Sequence, residues 1–520
     1  MSGLITEMWA GRLRWDLLQP FPQPPAAAPL DAVGKLLAHV DPDALDETGV
    51  LPAVFLDELR RSDLLRLQLA PADGGSGLSD WDTLQAMVAA MRVCPVAGFI
   101  LATHNGIGLP ALLPTLPPGA LRDLVVARLR GGAVSGWADT EPSGAANTLP
   151  STTATPVEGG WELNGRKIYI SNGAIADELI VSALLPEGLA GLFVVETTSA
   201  GFTVETTLEL IGFHGMPLGS LRFDGVRVPA LRHVPQEATW REAPLLEPVS
   251  ARGRTYLVAA ASLALAEQAL QMQREVAKRR IVDGRPLVGY RAVSDLIARS
   301  VADTAAIRAV VEWCMLGDDA ANLTDRFLDR KAAKNATSLA CWRVLDRTMS
   351  LFAAEGLETP RSKRRRGAPA WPVERLLRDG RILRVTGGVD FALDVWAAET
   401  ALATVADTKP RGLVGNADAL TARNREHLRA AAAHADRLAM ALRFVSNVED
   451  QHRLGALGRI MGELFTMAVT LAGAPPDAAD VYCVEARQRL AGLWSAVVAP
   501  DQPAYARLAA DLCTGDHPGV

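Results

Sequence analysis

The pattern of hydrophobic and polar positions divides the chain into helical and strand-rich regions. Between residues 31 and 130, apolar residues recur every three or four positions, which predicts an N-terminal helical domain. Across 131–235 the pattern changes to short alternating runs bounded by turn residues, which predicts a β domain of roughly six to eight strands. Helical spacing then returns and continues to the end, so the expected fold is mainly α with a central β domain.

Two segments support more detailed predictions. The segment GGWELNGRKIYISNG (159–173) alternates on both sides of Asn164-Gly165, which predicts a hairpin that turns there. The segment RTYLVAAASLALAEQ (254–268) is apolar on nearly all sides, which predicts a helix buried in a bundle. The predicted order is a proline-rich N-terminal lead that is not helical, a helical domain, a middle β domain, a helical bundle domain and a C-terminal helical domain (1–30, 31–130, 131–235, 236–405 and 406–520).

Composition narrows the class of protein. The chain has 53 basic and 59 acidic residues, a net charge of −6, which argues against nucleic-acid binding. Its longest apolar stretch, 257–265, is too short to span a bilayer, and its first residues lack the hydrophobic region of a signal peptide. Its five cysteines are scattered without metal-ligand or disulfide-framework spacing. We therefore expect a cytoplasmic protein without a membrane span, a metal site or disulfides.

Four motifs occur in an order that resembles the acyl-CoA dehydrogenase family. They are WADTEPSG (137–144), LNGRKIYISNGAIAD (163–177), FDGVRVP (223–229) and VERLLRDGRI (373–382). Further along, DVYCVEARQRL (480–490) resembles the C-terminal extension of the very-long-chain branch. The resemblance implies the fold of that family, with a helical domain, a β-barrel-like domain and a four-helix bundle, followed here by a C-terminal helical domain.

The resemblance also implies a chemistry. Members of the family bind FAD and an acyl thioester, which here is carried by CoA or by an acyl carrier protein. A carboxylate removes the α proton, the β hydrogen leaves as hydride to the flavin, and the electrons pass to an electron-transfer flavoprotein. Because FAD spans two subunits in the family, the resemblance implies a homodimer or a dimer of dimers.

Several residues match the cofactor contacts of the family. Thr140 matches the threonine that hydrogen-bonds the flavin, Ser171 matches the hydroxyl residue beside N5, and Tyr169 stands where the family has tryptophan against the ring. Arg280 matches an arginine that contacts the FAD diphosphate of the neighbouring subunit, although Arg279 competes for that assignment. In SLFAAEGLE (350–358), alanines replace two family glycines that let the backbone approach the cofactor, so this grip on FAD is expected to be weakened.

The catalytic carboxylate of the family is missing. Gly387 occupies the glutamate position of the main branch, and Arg254 or Thr255 occupies the position used by a second branch. Asp390 is a candidate substitute base, because it lies one helical turn beyond Gly387, but a role as N-cap of the following helix explains it better. His104, in the segment that lines the acyl pocket of the family, and Arg254 are substrate-binding candidates. If the pocket is intact, Gly387→Glu is expected to restore dehydrogenation.

Three functions remain open at this stage. The first is an acyl-thioester dehydrogenase with a relocated base, the second a flavin-dependent monooxygenase on the same fold, and the third a non-catalytic pseudo-dehydrogenase subunit. Ala146, which replaces a serine near the thioester carbonyl in the family, adds to the missing carboxylates. The basic segment RSKRRRG (361–367) could contact a phosphate-bearing carrier or form a solvated loop.

Overall fold

The protein consists of a helical N-terminal region, a central sheet, a helical bundle and a further helical domain. The computed structural model describes residues 3–25, 30–145, 147, 149–234, 246–316, 326–404, 412–445, 448–498 and 505–514. The expectation of a mainly α fold with a central β domain is confirmed.

The N-terminal helices pack around a buried apolar helix. After a short helix and strand, the described elements are six helices and one shorter helical turn, and Ser79 caps α5 by accepting from the Asp82 backbone N–H. Leu and Met side chains of α5 and α6 enter the largest hydrophobic core, which also receives side chains from the bundle. The elements are α1 (Leu4–Trp9), β1 (Arg12–Arg14), α2 (Asp31–Leu37), α3 (Pro42–Thr48), α4 (Ala53–Arg61), α5 (Asp80–Val93), α6 (Pro95–Ile107), α7 (Leu109–Leu112) and α8 (Ala120–Arg130).

The central domain is an eight-stranded sheet in the order β7-β8-β4-β3-β5-β6-β9, with β2 beside β5. Alternate residues of these strands form its core, as the alternating pattern predicts. The strands are β2 (Ser135–Ala138), β3 (Thr153–Val157), β4 (Gly160–Ile170), β5 (Glu178–Leu184), β6 (Ala190–Glu196), β7 (Phe202–Thr207), β8 (Gly219–Pro229) and β9 (His233–Val234).

The predicted hairpin turn at Asn164-Gly165 is wrong. Residues 160–170 form one strand, β4, which pairs with β8 and shifts register between Leu163 and Gly165. The turn lies earlier, between β3 and β4. A Cβ at Gly165 would lie 2.5 Å from Thr152 Oγ1, so this glycine permits a close packing of strands rather than a turn.

The bundle begins with an irregular helix. A π-helical turn, Arg254–Ala259, joins α9 to α10, and the predicted burial of this segment is confirmed because residues 255–266 are all buried. The π turn was not predicted. The remaining elements are α9 (Leu246–Gly253), α10 (Ala260–Arg279), β10 (Ile281–Val282), β11 (Arg285–Pro286), α11 (Arg291–Met315), α12 (Phe327–Phe352), α13 (Ala354–Leu357), α14 (Pro360–Arg365), α15 (Val373–Leu383) and α16 (Asp390–Thr404).

The N-terminal segment packs with the C-terminal helices. Side chains of α1 and β1 share one hydrophobic core with α11 and the last domain, and β1 pairs in parallel with β12. The backbone N–H groups of Leu4 and Ile5 donate to the Asp329 carboxylate on α12, at 3.3 and 3.0 Å. The lead therefore begins with a docked helix and a short strand, neither of which was predicted. The last elements are β12 (Gly412–Val414), α17 (Ala422–Arg443), α18 (Gln451–Gly473), α19 (Pro476–Val498) and α20 (Tyr505–Thr514).

Two helical stretches have the length and apolar composition of a membrane span. These are 95–115 and 451–473, with 94% and 78% of their most apolar windows buried inside the protein. Both are explained as core helices, because α6 and α18 supply side chains to the two largest hydrophobic cores.

Candidate functional site

One edge of the sheet brings together three of the predicted cofactor residues. The Ile168 backbone N–H donates to Thr140 O at 2.9 Å, so the Thr140 loop runs beside the end of β4, which carries Tyr169 and is followed directly by Ser171. Tyr169 has a φ of +59° and is 56% exposed, which is unusual for an aromatic side chain in a strand. In the part of the chain that the structure describes, the half-buried hydroxyls of Thr140 and Ser171 have no hydrogen-bond partner.

A buried ion pair holds this loop in place. Lys167 Nζ lies 2.8 Å from Glu141 Oε1 and also donates to Asp139 O and to Ser182 Oγ, each at 3.0 Å. Glu141 additionally accepts from the backbone N–H and hydroxyl of Ser151 and from Thr152 N. Burial raises the pKa of Glu141, but these hydrogen bonds outweigh it and lower the pKa to about 2.

The same edge is attached to the N-terminal helices. Asn172, just beyond β4, donates from Nδ2 to Ile100 O on α6 at 3.1 Å and to Ser135 O at 3.2 Å. In turn, α6 packs against the π turn, because Gly106 approaches Tyr256 so closely that a Cβ there would lie 3.1 Å from its ring. Helix α6 therefore contacts both the candidate edge at the end of β4 and the bundle segment that begins at Arg254.

His104 lies inside the protein and not on an open surface. It is fully buried on α6, its Nδ1 accepts from Ser135 N at 3.0 Å, and its Nε2 lies 2.8 Å from Leu65 O. Desolvation lowers the pKa of His104 to about 4, so the ring is neutral at pH 7. Both ring nitrogens have protein partners, which disfavours His104 as a substrate-binding residue.

The two positions that lack a carboxylate lie side by side. Arg254 Nε donates to Gly387 O at 3.2 Å, although the residues are 133 positions apart, and an Nη atom donates to Ser250 Oγ at 3.1 Å. Gly387 has a φ of +71°, and a Cβ added there would meet Arg254 Cγ at 3.6 Å. Desolvation lowers the pKa of Arg254 to about 10. A guanidinium therefore occupies the place where a base was expected.

Asp390 is held by an ion pair. Its Oδ2 accepts from Arg384 Nε at 2.8 Å and from a second guanidinium nitrogen, and its Oδ1 accepts from Phe391 N at 2.9 Å. Burial raises the pKa of Asp390, but the bonds from Arg384 outweigh it and hold the pKa below its usual value. Oδ1 accepts from the next residue and not from the second or third N–H of the helix, so these are not the contacts of a usual N-cap. They also disfavour Asp390 as a base, because both of its oxygens are occupied.

Sequence reasoning missed Lys334, a fully buried lysine on α12. Its Nζ donates to Arg384 O at 2.8 Å and to Asn335 Oδ1 at 3.2 Å. Desolvation lowers the pKa of Lys334 to about 8, and the nearby charge of Arg254 acts in the same direction. Lysine is rarely buried without a charged partner, but no local motif marks this one.

Arg280 lies apart from the sheet edge, at the end of α10. It donates to Leu351 O and Phe352 O, and its guanidinium lies 3.0 Å from Glu355 Oε2, while Arg279 lies 2.6 Å from Glu355 Oε1. Glu355 therefore engages both arginines that compete for the diphosphate assignment. The neighbouring Ala353 has φ +53° and ψ −135°, a backbone conformation that favours glycine.

The basic segment 361–367 is mostly exposed, but it is largely helical and several of its arginines form ion pairs within the protein. It forms α14, whose Arg364 pairs with Asp43 and Glu47 on α3, while Arg366 pairs with Glu358 at 2.6 Å. Ala146 lies outside the described residues.

Among the described residues, no group of three or more histidine, cysteine, aspartate or glutamate side chains is arranged to hold a metal ion.

Comparison with known proteins defines the class to which this fold and edge belong. The model of the acyl-CoA dehydrogenase middle domain matches residues 136–226, and the model of the acyl-CoA dehydrogenase C-terminal domain matches residues 252–391. These are the sheet and the bundle described above. The chain belongs to the acyl-CoA dehydrogenase family, and the predicted fold is confirmed.

Individual relatives agree with this assignment. The chain is 31% identical over 397 residues to the probable acyl-CoA dehydrogenase FadE10 of Mycobacterium tuberculosis, an alignment that covers 74% of this chain and 60% of that protein. An acyl-CoA dehydrogenase of Bacillus subtilis is 26% identical over 357 residues, covering 67% of this chain and 89% of the relative. Among solved structures, an acyl-CoA dehydrogenase from Bacillus anthracis complexed with FAD has a TM-score of 0.77 at 17% identity and covers 98% of this chain and 94% of its own. This last likeness concerns the fold.

Proposed function

We propose that this protein is a FAD-dependent flavoprotein that acts on an acyl thioester, carried by CoA or by a carrier protein. The observation that carries the proposal is the sheet edge, where Tyr169 presents an exposed aromatic ring and the hydroxyls of Thr140 and Ser171 have no partner among the described residues. Support also comes from the relatives named as acyl-CoA dehydrogenases and from the Bacillus anthracis neighbour that holds FAD.

The residues present fit the ring end of FAD better than its diphosphate end. The hydroxyls of Thr140 and Ser171, which have no partner within the described ranges, could donate to a flavin, and Tyr169 offers a face for stacking. At the other end, Glu355 places a carboxylate between Arg279 and Arg280, which opposes a diphosphate there. When bound, the flavin would supply the capacity to accept a hydride.

The chemistry proposed does not use a carboxylate at either usual position. Gly387 has no side chain, and Arg254 cannot act as a base at neutral pH because its pKa, although lowered to about 10, keeps it charged. What the chain does supply is a cationic group beside the Gly387 carbonyl. The first candidate function is therefore a dehydrogenase in which a group other than these two residues removes the α proton of the substrate.

Assembly and location are also proposed. We infer a homodimer, because family members share FAD between subunits, and an electron-transfer flavoprotein as acceptor. A cytoplasmic location is proposed because all five cysteines are free thiols and four of them are buried. Light scattering after size-exclusion chromatography measures the oligomeric state directly, and a monomeric mass with FAD bound would contradict the homodimer.

The first experiment is reconstitution with FAD. The protein should become yellow, and Tyr169→Ala and Ser171→Ala should weaken FAD binding, because each removes a group that faces the proposed ring. Thr155→Ala, on an exposed position of the same sheet, is the matched control and should bind FAD like the wild type. A wild-type protein that stays colourless with excess FAD contradicts the proposal and favours the non-catalytic subunit.

The second experiment separates the two catalytic alternatives. Anaerobic addition of an acyl-CoA series should bleach the flavin absorbance if the protein is a dehydrogenase. Reduction only by an external flavin reductase, followed by oxygen consumption, would instead indicate the monooxygenase.

A further inference from the structure

The loop around Gly387 carries more positive than negative charge. Residues 384–389 begin with the cationic Arg384, and two further cations, Arg254 and Lys334, donate to carbonyl groups of this loop. Arg384 pairs with Asp390, while Asp394, the next carboxylate, accepts from Asn335 Nδ2 at 2.8 Å and lies 3.8 Å from Arg459. Arg254 and Lys334 are therefore left without an ion-pair partner within the described ranges.

Of these two cations, Arg254 keeps more N–H donors without a partner among the described residues. Its two hydrogen bonds go to a neutral carbonyl and a neutral hydroxyl, although a guanidinium has five N–H donors in a planar fork. A partly buried charge without a counter-charge is unfavourable, because burial removes its hydration without an opposite charge to replace it. Such a group is expected where a charged ligand completes the site.

The position of Arg254 relates this charge to the proposed reaction centre. It is the first residue of the π-helical turn, an irregularity that is frequent at functional sites, and its guanidinium reaches the exposed Gly387 backbone. A carboxylate of the substrate could lie where the side chain of residue 387 is absent, and it would meet the fork of Arg254 there.

We propose that Arg254 binds an anionic group on the acyl chain, so that the substrate is a thioester of a dicarboxylic or otherwise anionic acid. The inference rests on the proposed function, because it concerns the acyl end of the same thioester. A planar fork binds a carboxylate through two parallel hydrogen bonds, which makes arginine more selective than lysine for this task. If Arg254 only tethers the Gly387 loop, it will not distinguish charged from neutral acyl groups.

The test compares two probes of the same length, the phosphopantetheine thioesters of succinate and butyrate, whose carrier portion is common to CoA and carrier proteins. Binding to the FAD-reconstituted protein is measured by calorimetry, independently of turnover. We expect the succinyl probe to bind at least about tenfold more tightly, from the strength of charge-assisted hydrogen bonds. Arg254→Gln should abolish this preference, and Arg254→Lys should retain only part of it.

The matched control is Arg381→Gln, an exposed arginine on α15, which should leave the preference unchanged. Thermal denaturation shows whether the Arg254 variants are folded, and retention of butyryl binding shows that their pocket is intact. Equal binding of the two probes to the wild type, or an unchanged preference in Arg254→Gln, overturns the inference and leaves the proposed function standing. FAD binding without binding of either thioester overturns the proposed function as well.

Discussion

The buried pair Lys167–Glu141 gives the sharpest prediction, because it supports the loop that carries Thr140. Glu141→Gln keeps the shape of the side chain but removes its charge. The amide nitrogen would then face Ser151, whose backbone N–H and hydroxyl both donate to Glu141 Oε2 at 2.6 Å. The N–H groups of the amide would then face the two donors of Ser151, and the charge of Lys167 would lose its nearest counter-charge.

The magnitude follows from the same contacts. A pKa lowered from 4.5 to about 2 corresponds to a preference for the ionised form of about 3 kcal/mol. Breaking a buried ion pair by removing one partner costs about 3–5 kcal/mol in other proteins, which agrees with the value obtained from the pKa shift. We expect Glu141→Gln to lower the free energy of unfolding by about 3 kcal/mol at pH 7, measured by urea denaturation with tryptophan fluorescence.

The pH dependence provides a second check. Because the folded pKa of Glu141 lies below the unfolded one, its stabilisation is complete above about pH 4.5 and is lost as the pH falls toward 2. The difference between wild type and Glu141→Gln should therefore shrink by about 1.4 kcal/mol between pH 7 and pH 3.5. Glu158→Gln, an exposed glutamate of the same domain, is the control. The reasoning is refuted if Glu141→Gln is no less stable than Glu158→Gln at pH 7.

Three further predictions concern the bundle. Ala353→Gly should raise the free energy of unfolding by about 1 kcal/mol, because glycine adopts this positive φ without the strain of a Cβ. An unchanged or lower melting temperature would show that Ala353 is not strained. Glu355→Gln should tighten FAD binding several-fold in a fluorescence titration, because it releases two arginines, and unchanged affinity would place the diphosphate elsewhere. Asp390→Asn should cost about 1 kcal/mol of stability and leave flavin reduction within about twofold, whereas a loss of about 100-fold would identify Asp390 as the base.

The parts of the fold that could be predicted are those with local signals. The sheet edge belongs to this group, because Thr140 lies in one motif, Tyr169 and Ser171 lie in another, and the order of the motifs indicated a shared fold. The hairpin at Asn164-Gly165 could not be excluded in this way. The register of β4 is set by β8, about 60 residues away, and by the contact of Gly165 with Thr152, neither of which leaves a mark in the local pattern.

The candidate site shows the same limit. His104 looked like a pocket residue because it is ionisable and lies in a family segment, but its partners Leu65 and Ser135 are distant in sequence. Restoration of activity by Gly387→Glu also seemed straightforward from the sequence. The structure shows a positive φ at Gly387 and the guanidinium of Arg254 beside it, so a glutamate there would be strained and drawn into an ion pair. We therefore expect Gly387→Glu alone to give no dehydrogenation.

The pairing of β1 with β12 has a consequence for synthesis of the chain on the ribosome. Arg12 leaves the exit tunnel 400 residues before its partner Gly412. At about 5–20 residues per second, β1 waits roughly 20–80 s for the strand that it pairs with. During that interval the apolar side chains of Leu4, Met8 and Trp9 have no completed core to enter. A nascent chain stalled before residue 412 should therefore expose its N-terminal segment to chaperones and proteases, and release of the last domain should end that exposure.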